Sequence, residues 1–317
     1  MTAVGPRQAA PTPAEAGIGA FAYFEGGVAP IEDAKVSIAT HSFNYGTAVF
    51  EGIRAYLQED GSTSLLFGRE HYDRLLRNAR LVRATVPETA EALVEITLDL
   101  IRRNGHGGDV YIRPLIYKSA PNIRVQLTGL DDRIAIFTMP LGEYLPTGGI
   151  RVTVSGWQRV SYNAIPASGK ITGSYVNAAF AAEDAHAAGY DDAILLTGDG
   201  HVAEASAANL FVVFGNEVAT PPLVDDVLAG ITRRAIMQLA TDAGYDVVER
   251  RIDRSELYLA DEVFLTGTGV QVAPIASIDD RPMVSDGFPV SLDIQRRYFA
   301  AVRGTDPRYA SWLTPVS

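Results

Sequence analysis

Cysteine is absent from this 317-residue chain, which removes disulfides, thiolate metal sites and a cysteine nucleophile together. Lysine is nearly absent as well. Of 27 basic residues only Lys35, Lys118 and Lys170 are lysines, so arginine carries almost all the positive charge. Positive charge is itself in deficit, since 38 acidic residues bring the net charge to -11. Such a chain lacks the clustered cations that nucleic-acid backbones and anionic membrane surfaces require, and neither is expected as a partner. No apolar run approaches a membrane span. The five histidines are scattered without metal-ligand spacing. No Gly-x-Gly-x-x-Gly follows a strand, and no Walker loop, Gly-x-Ser-x-Gly elbow or internal repeat occurs. Residues 1–17 are rich in Ala and Pro and have no apolar core, so they read as a flexible tail, not a signal peptide. A soluble, acidic, globular protein of the cytoplasm is what these absences leave.

The shortage of lysine directs attention to Lys170, set between Gly169 and Ile171 in a stretch of small residues from Trp157 to Phe180. An amine can lose its proton and can form a Schiff base with an aldehyde; a guanidinium can do neither. A solvated loop lysine is the competing reading.

Phe21–Phe24 and Val28–Ile31 read as a hairpin around Gly26-Gly27. Residues 48–57 predict a strand whose period of two puts Phe50, Gly52 and Arg54 on one face and Val49, Glu51, Ile53 and Ala55 on the other. An aromatic, a glycine and an arginine make a wall for a small molecule more readily than a core face. The stripe Leu75, Leu76, Ala79, Val82 predicts a helix over 69–82, with Arg69 at its N-terminal end. A cation there is disfavoured unless an anion joins it, which makes Arg69 a candidate phosphate ligand. A second helix is expected over 88–104 and a strand over 109–117, where Tyr111 and Arg113 share a face. A buried arginine needs an anionic partner, either a substrate carboxylate or one of the chain's own acids. Prolines and glycines between 139 and 149 mark a linker. They divide the chain into a small N-terminal domain (18–139), a linker (140–149) and a larger C-terminal domain (150–317).

In the second half, strands are expected over 150–157, 192–197, 201–205, 208–214, 245–253 and 262–266, and helices over 174–188, from Gly230 to 239 and around 292–302, before an irregular tail. Glu204 is a carboxylate among small apolar neighbours and stays ionised there only if paired. The amides of Ile231 and Thr232 would sit at the positive end of a helix. The turn Thr266-Gly-Thr-Gly269 could offer further amides to an anion.

The segments His41-Ser-Phe-Asn-Tyr-Gly-Thr-Ala-Val-Phe-Glu-Gly-Ile-Arg54, Tyr111-Ile-Arg-Pro-Leu115, Gly230-Ile-Thr-Arg233, Leu257-Tyr-Leu-Ala-Asp-Glu-Val-Phe264 and Gly267-Thr268 stand here in a telling order. As a set, they resemble the fold-type IV pyridoxal-phosphate enzymes, and among them the branched-chain amino acid aminotransferases, from about Phe21 to the last helix. The resemblance implies an α+β fold, with a small α/β N-terminal domain and a larger α/β pseudo-barrel carrying pyridoxal 5'-phosphate. It also implies ping-pong transamination between branched-chain L-amino acids and 2-oxoglutarate, through a Lys170 aldimine, in a homodimer or higher homo-oligomer. Lys170 would also move the 1,3-proton. Glu204 would pair with the pyridinium nitrogen and Tyr175 with the ring 3-oxygen. Arg69, Ile231, Thr232, Gly267 and Thr268 would hold the phosphate region, with Asn209 orienting polar groups. Tyr111 and the amides of Thr268 and Gly269 would receive the substrate α-carboxylate. Phe50, Gly52 and Tyr144, joined by Tyr45 from a partner subunit, would shape the side-chain pocket. Arg54 and Arg113 would accept the distal carboxylate of an acidic substrate.

Departures from the family pattern, Leu141 in place of a common tryptophan, Ala205-Ser-Ala-Ala208, and Ser119-Ala-Pro-Asn122, cluster around the expected pocket and bear on its width. The alternatives within the fold type are a D-amino acid or (R)-amine aminotransferase and an aminodeoxychorismate lyase. A dinucleotide-dependent dehydrogenase is disfavoured by the missing glycine fingerprint, and a non-enzymatic binding protein by the presence of both Lys170 and Glu204.

Overall fold

Pro114 explains the first departure from expectation. The computed structural model describes residues 16–142 and 149–316. In it the expected hairpin forms from Phe21–Phe24 (β1) and Gly27–Pro30 (β2), and a one-turn helix, His41–Tyr45 (α1), follows. The strand expected over 48–57 is split into Ala48–Phe50 (β3) and Ile53–Leu57 (β4). Both halves pair in one register with Val110–Lys118 (β6), so Glu51 faces Pro114 at the gap. Proline has no N–H to return, and the ladder lapses there. Across the gap only the Glu51 amide still donates, to Pro114 O at 3.0 Å.

Thr63–Leu66 (β5) leads into helix Gly68–Ala79 (α2), and helix Ala90–Asn104 (α3) starts on a Thr89 side-chain cap and stops at Gly105 with φ 57°. Leu75, Ala79, Leu93, Leu100 and Ile101 face inward as the helical period requires, whereas Leu76 and Ile96 are only partly buried. Asp132–Pro140 (β7) completes this half.

From residue 150 on come Ile150–Gln158 (β8), Tyr175–Ala187 (α4), Asp192–Leu196 (β9), Val202–Ala205 (β10), Asn209–Phe214 (β11) and Glu217–Thr220 (β12). Ile231–Asp242 (α5), Asp246–Glu249 (β13), Glu262–Gly267 (β14), Gln271–Ile278 (β15), Arg281–Pro282 (β16), Pro289–Val302 (α6) and Leu313–Val316 (β17) follow. β15, for which no strand was expected, runs through the middle of its sheet between β8 and β14 and contains Pro274. The tail expected to be irregular contains β17, antiparallel to β5.

Among the described residues the strands form two sheets, one ordered β17-β5-β4-β6-β7-β1-β2 with β3 on β6, the other β10-β9-β8-β15-β14-β11-β12-β13. The second sheet curls until its ends meet: Val202 N donates to Ile252 O at 2.9 Å, and His201 bridges Asp253. Ile150, Ile194, Leu210, Val212, Val263 and Ile275 fill the resulting pseudo-barrel. Its outer face packs Phe211 and Phe264 against α5, α6, Tyr56 and Leu66 of the first sheet, and Phe67 just before α2.

Lys118, a possible rival to Lys170, is structural. Only 1% exposed, it donates to Arg83 O at 2.7 Å and lies 2.8 Å from Asp132. Lys118→Ala should therefore lower stability by about 3–5 kcal/mol in a denaturant melt, because it strands a half of a buried pair, while turnover per folded molecule stays near that of the parent protein.

Candidate active site

A cavity of about 580 Å³ opens between the two sheets. It is lined by the end of β3, the middle of β6, the lysine turn, the β10–β11 connection, the start of α5 and the β14–β15 turn. Lys170 ends a short 3-10 turn, Ala167–Gly169, with φ 46°. That left-handed backbone is uncommon for a side-chain-bearing residue and persists only where the surroundings hold it. Here Asn78 Nδ2 donates to Ser168 O at 2.7 Å, and Phe50 N donates to Lys170 O at 3.2 Å. Gly46 and Gly173 touch backbone to backbone, where a Cβ on Gly46 would fall 2.6 Å from Gly173 Cα. The Lys170 amine donates to the Tyr175 hydroxyl at 2.9 Å and lies 4.8 Å from the centre of the Phe50 ring.

Glu204 is buried with both oxygens occupied. Oε1 pairs with Arg159 at 2.6 Å, and Oε2 accepts from Asn209 Nδ2 at 2.9 Å and Leu228 N at 3.1 Å. Sequence reasoning missed Arg159. It follows β8 in the very stretch that contains Lys170, but nothing local distinguishes it from a surface arginine.

α5 begins at Gly230, and no intrahelical carbonyl is within reach of the Ile231 and Thr232 amides. A Cβ on Gly230 would overlap Asn209 Oδ1, so glycine is required for this approach. Arg69 lies elsewhere. Its side chain is 55% exposed, paired with Asp73 at 2.9 Å and with Glu91, and it does not line the cavity. The α2 arginine that lines the cavity is Arg74, five residues on and about 140° further round the helix. Arg74 donates from Nε and Nη2 to Glu51 at 2.6 and 2.7 Å and from Nη1 to Ala229 O at 2.6 Å, just before α5. Glu51 also takes His71 Nδ1 at 2.8 Å. Burial alone would raise the Glu51 carboxyl, yet the Arg74 charge and the bonds from His71 and Arg74 hold it well below the usual carboxylate range. An ionised carboxylate only accepts, so Nδ1 of His71 carries the proton.

On the opposite wall, Tyr111 and Arg113 share the cavity-facing side of β6, as the period of two predicted. Arg113 donates to the Tyr111 hydroxyl at 3.2 and 2.8 Å and lies over Phe50 at 4.6 Å. A Cβ on Gly52 would overlap that hydroxyl. Gly267, Thr268 and Gly269 line the same cavity, and the Thr266 hydroxyl beside them is buried without a hydrogen-bond partner. Arg54 shares the Phe50 face but turns behind the wall, 1% exposed, and does not line the cavity. Tyr45 also stays outside, 40% exposed, donating to Ile123 O at 2.5 Å. Tyr144 lies outside the described residues. No group of three or more acidic or histidine side chains among the described residues could hold a metal, and none of their helices is long and apolar enough to cross a membrane.

The donor set suits a flat aromatic aldehyde bearing a phosphate. An amine and a phenol stand in the middle, a carboxylate held by three donors occupies one side, and helix-end amides with a cation and an orphaned hydroxyl occupy another.

Residues 48–278 match the family model for amino-transferase class IV. A probable branched-chain-amino-acid aminotransferase of Aquifex aeolicus is 46% identical over 93% of this chain and 96% of its own length. The crystal structure of the Thermoproteus uzoniensis branched-chain aminotransferase with norvaline superposes with a TM-score of 0.91 at 40% identity, covering 94% of this chain and all of the other. The branched-chain amino acid aminotransferase of Thermobaculum terrenum, in its PLP-bound holo form, gives 0.90 at 32%, over 95% and 99%.

Proposed function

Because the chain belongs to the class IV aminotransferase family and is similar along almost its whole length to branched-chain aminotransferases, we propose that it moves amino groups between branched-chain L-amino acids and 2-oxoglutarate with pyridoxal 5'-phosphate. The observation that carries this reading is the Lys170–Tyr175 pair in one cavity with the clamped Glu204. The names of the relatives favour this reading over D-amino acid, (R)-amine or lyase chemistry.

When bound, pyridoxal phosphate supplies an aldehyde for the amine and a ring that accepts electrons. The chain supplies the rest. Lys170 Nζ would take the proton from the substrate Cα and deliver it to the carbon that was the cofactor's aldehyde, with the Tyr175 hydroxyl 2.9 Å away to keep the amine oriented. Glu204 would face the ring nitrogen and keep it protonated, and the amides of Ile231 and Thr232, with Arg74 and Thr268, would hold the phosphate. Arg74 takes the place that Arg69 was expected to fill. The α-carboxylate falls to Tyr111 and the Thr268-Gly269 turn, and a distal carboxylate falls to Arg113. In apolar substrates the side chain instead meets the Phe50 ring.

The protein works as a homodimer in this reading. Ile38, Phe43, Ile123 and Val125 are all exposed around Tyr45, an apolar group that a second copy would cover. Sedimentation at a single monomer mass across micromolar concentrations would rule this out. For the reaction itself, the test is a half-reaction panel of L-leucine, L-isoleucine, D-alanine and an (R)-amine. Spectral change is expected with the first two, and none with either would end the branched-chain reading.

Arg113→Ala should raise KM for 2-oxoglutarate by about tenfold or more while changing KM for 4-methyl-2-oxopentanoate by less than about threefold. Equal effects on both acceptors would make this arginine structural.

A further inference from the structure

Arg54 was expected to share the distal carboxylate with Arg113, and its surroundings give it different work. Nη1 donates to Leu141 O at 3.2 Å, and Nη2 donates both to Gly142 O at 3.1 Å and to Gly269 O at 3.1 Å. Both hydrogens of Nη2 are thereby used, and Asp109 lies 4.0 Å from Nη1. Asp109 is itself committed to Arg303 at 2.5 and 2.8 Å and to the Leu57 amide at 3.0 Å. The guanidinium also sits over the Tyr56 ring at 5.8 Å. Nη2 has no hydrogen left for a substrate, Nε is buried without a partner, and the guanidinium does not line the cavity. What it holds does line the cavity: Leu141, where the chain leaves the first sheet, and Gly269, in the turn between β14 and β15.

We infer that Arg54 is a positioning residue, a buried three-carbonyl clamp that sets the Gly267–Gly269 turn and the Leu141 wall at the distance an α-carboxylate needs. This rests on the proposed function, in which that turn receives the α-carboxylate. Only a rigid planar fork reaches three carbonyls from two chain segments at once, so lysine cannot replace it.

The consequence differs from that of Arg113. Every 2-oxo acid carries the carboxylate next to the reacting carbon, so weakening the clamp affects all acceptors alike. In Arg54→Met and Arg54→Lys, KM should rise on the order of tenfold for both 2-oxoglutarate and 4-methyl-2-oxopentanoate, with kcat within about threefold of the parent holoenzyme. A rise confined to 2-oxoglutarate would make Arg54 a distal-carboxylate ligand and overturn the inference. Unchanged KM for both, with only a lower melting temperature, would make it a plain structural arginine and overturn it equally. Should neither variant fold, a crystal structure of the unaltered holoenzyme with an N-phosphopyridoxyl-L-glutamate adduct decides the matter. Arg54 is expected to stay on the carbonyls of Leu141, Gly142 and Gly269, and a guanidinium turned onto the adduct's distal carboxylate refutes the clamp. Failure of the parent holoenzyme to transaminate any donor would count against the proposed function, not against Arg54.

Discussion

Lys170→Ala is expected to give a folded protein that still takes up pyridoxal phosphate and turns over no amino acid, with kcat down by about four orders of magnitude or more. Folding should survive, because the Lys170 side chain gives its hydrogen bond to Tyr175, at 2.9 Å, and not to a backbone group that the fold depends on. The φ of 46° costs alanine no more than lysine, and stability should change by about 1 kcal/mol or less. Uptake should survive too, since in the proposed function the helix-end amides and Arg74, which line the cavity, would hold the phosphate without the amine. What disappears is the covalent attachment and the group that carries the proton. Borohydride followed by denaturation separates these contributions: the parent chain should retain the cofactor, and the variant should release it. Lys170→Arg should fail equally, because a guanidinium keeps the charge but offers no free amine. Wild-type turnover in either variant would remove Lys170 from the reaction.

A loss of stability as large as that at Lys118, joined here to a loss of cofactor affinity, is expected at Glu51. Glu51→Ala leaves Arg74 and His71 buried without their shared carboxylate, and about 3–5 kcal/mol should be lost at neutral pH. Affinity for the cofactor should fall with it, because Glu51 aims the Arg74 guanidinium. The pH dependence has a definite sign. Glu51 titrates lower in the fold than in the unfolded chain, so its contribution is full above the ordinary carboxylate pKa and disappears as pH falls towards the folded value. Burial likewise lowers His71, so the folded chain resists a proton that the unfolded chain accepts below about pH 6.5. Both groups make acid destabilising. The gap between the parent and Glu51→Gln, measured in denaturant, should therefore narrow from pH 7 to pH 3. A gap that stays constant would show that Glu51 titrates alike in the folded and unfolded chains.

Lys170, Glu204, Thr232 and the Tyr111–Arg113 pair were legible in the chain because each breaks a local pattern. They are a rare lysine among small residues, a lone carboxylate in a strand, a glycine before a helix, and an arginine with an aromatic at a period of two. Arg69 and Arg74 illustrate where such reading stops. Both lie on the same helix, and their roles are separated by the face that meets Ala229 and Glu51, which is a tertiary fact. Arg159 and Arg54 were obscured for the same reason, since their partners lie 45 to 215 residues away. No strand was expected for β15, which contains Pro274, or for β17, which pairs with residues some 250 positions earlier in the chain.

The pairing of β17 with β5 has a consequence for synthesis. Residues 63–66 emerge from the ribosome some 250 residues before their partners at 313–316, which they meet one for one from Thr63↔Val316 to Leu66↔Leu313. Until then the nascent first sheet presents an unpaired edge carrying Leu65 and Leu66, the kind of template on which strands from other chains assemble. Capture by a holdase, or a slow final phase after the rest of the chain has collapsed, should therefore centre on that edge. Replacing Leu313 or Thr314 with proline should prolong this exposure before it alters the finished cavity.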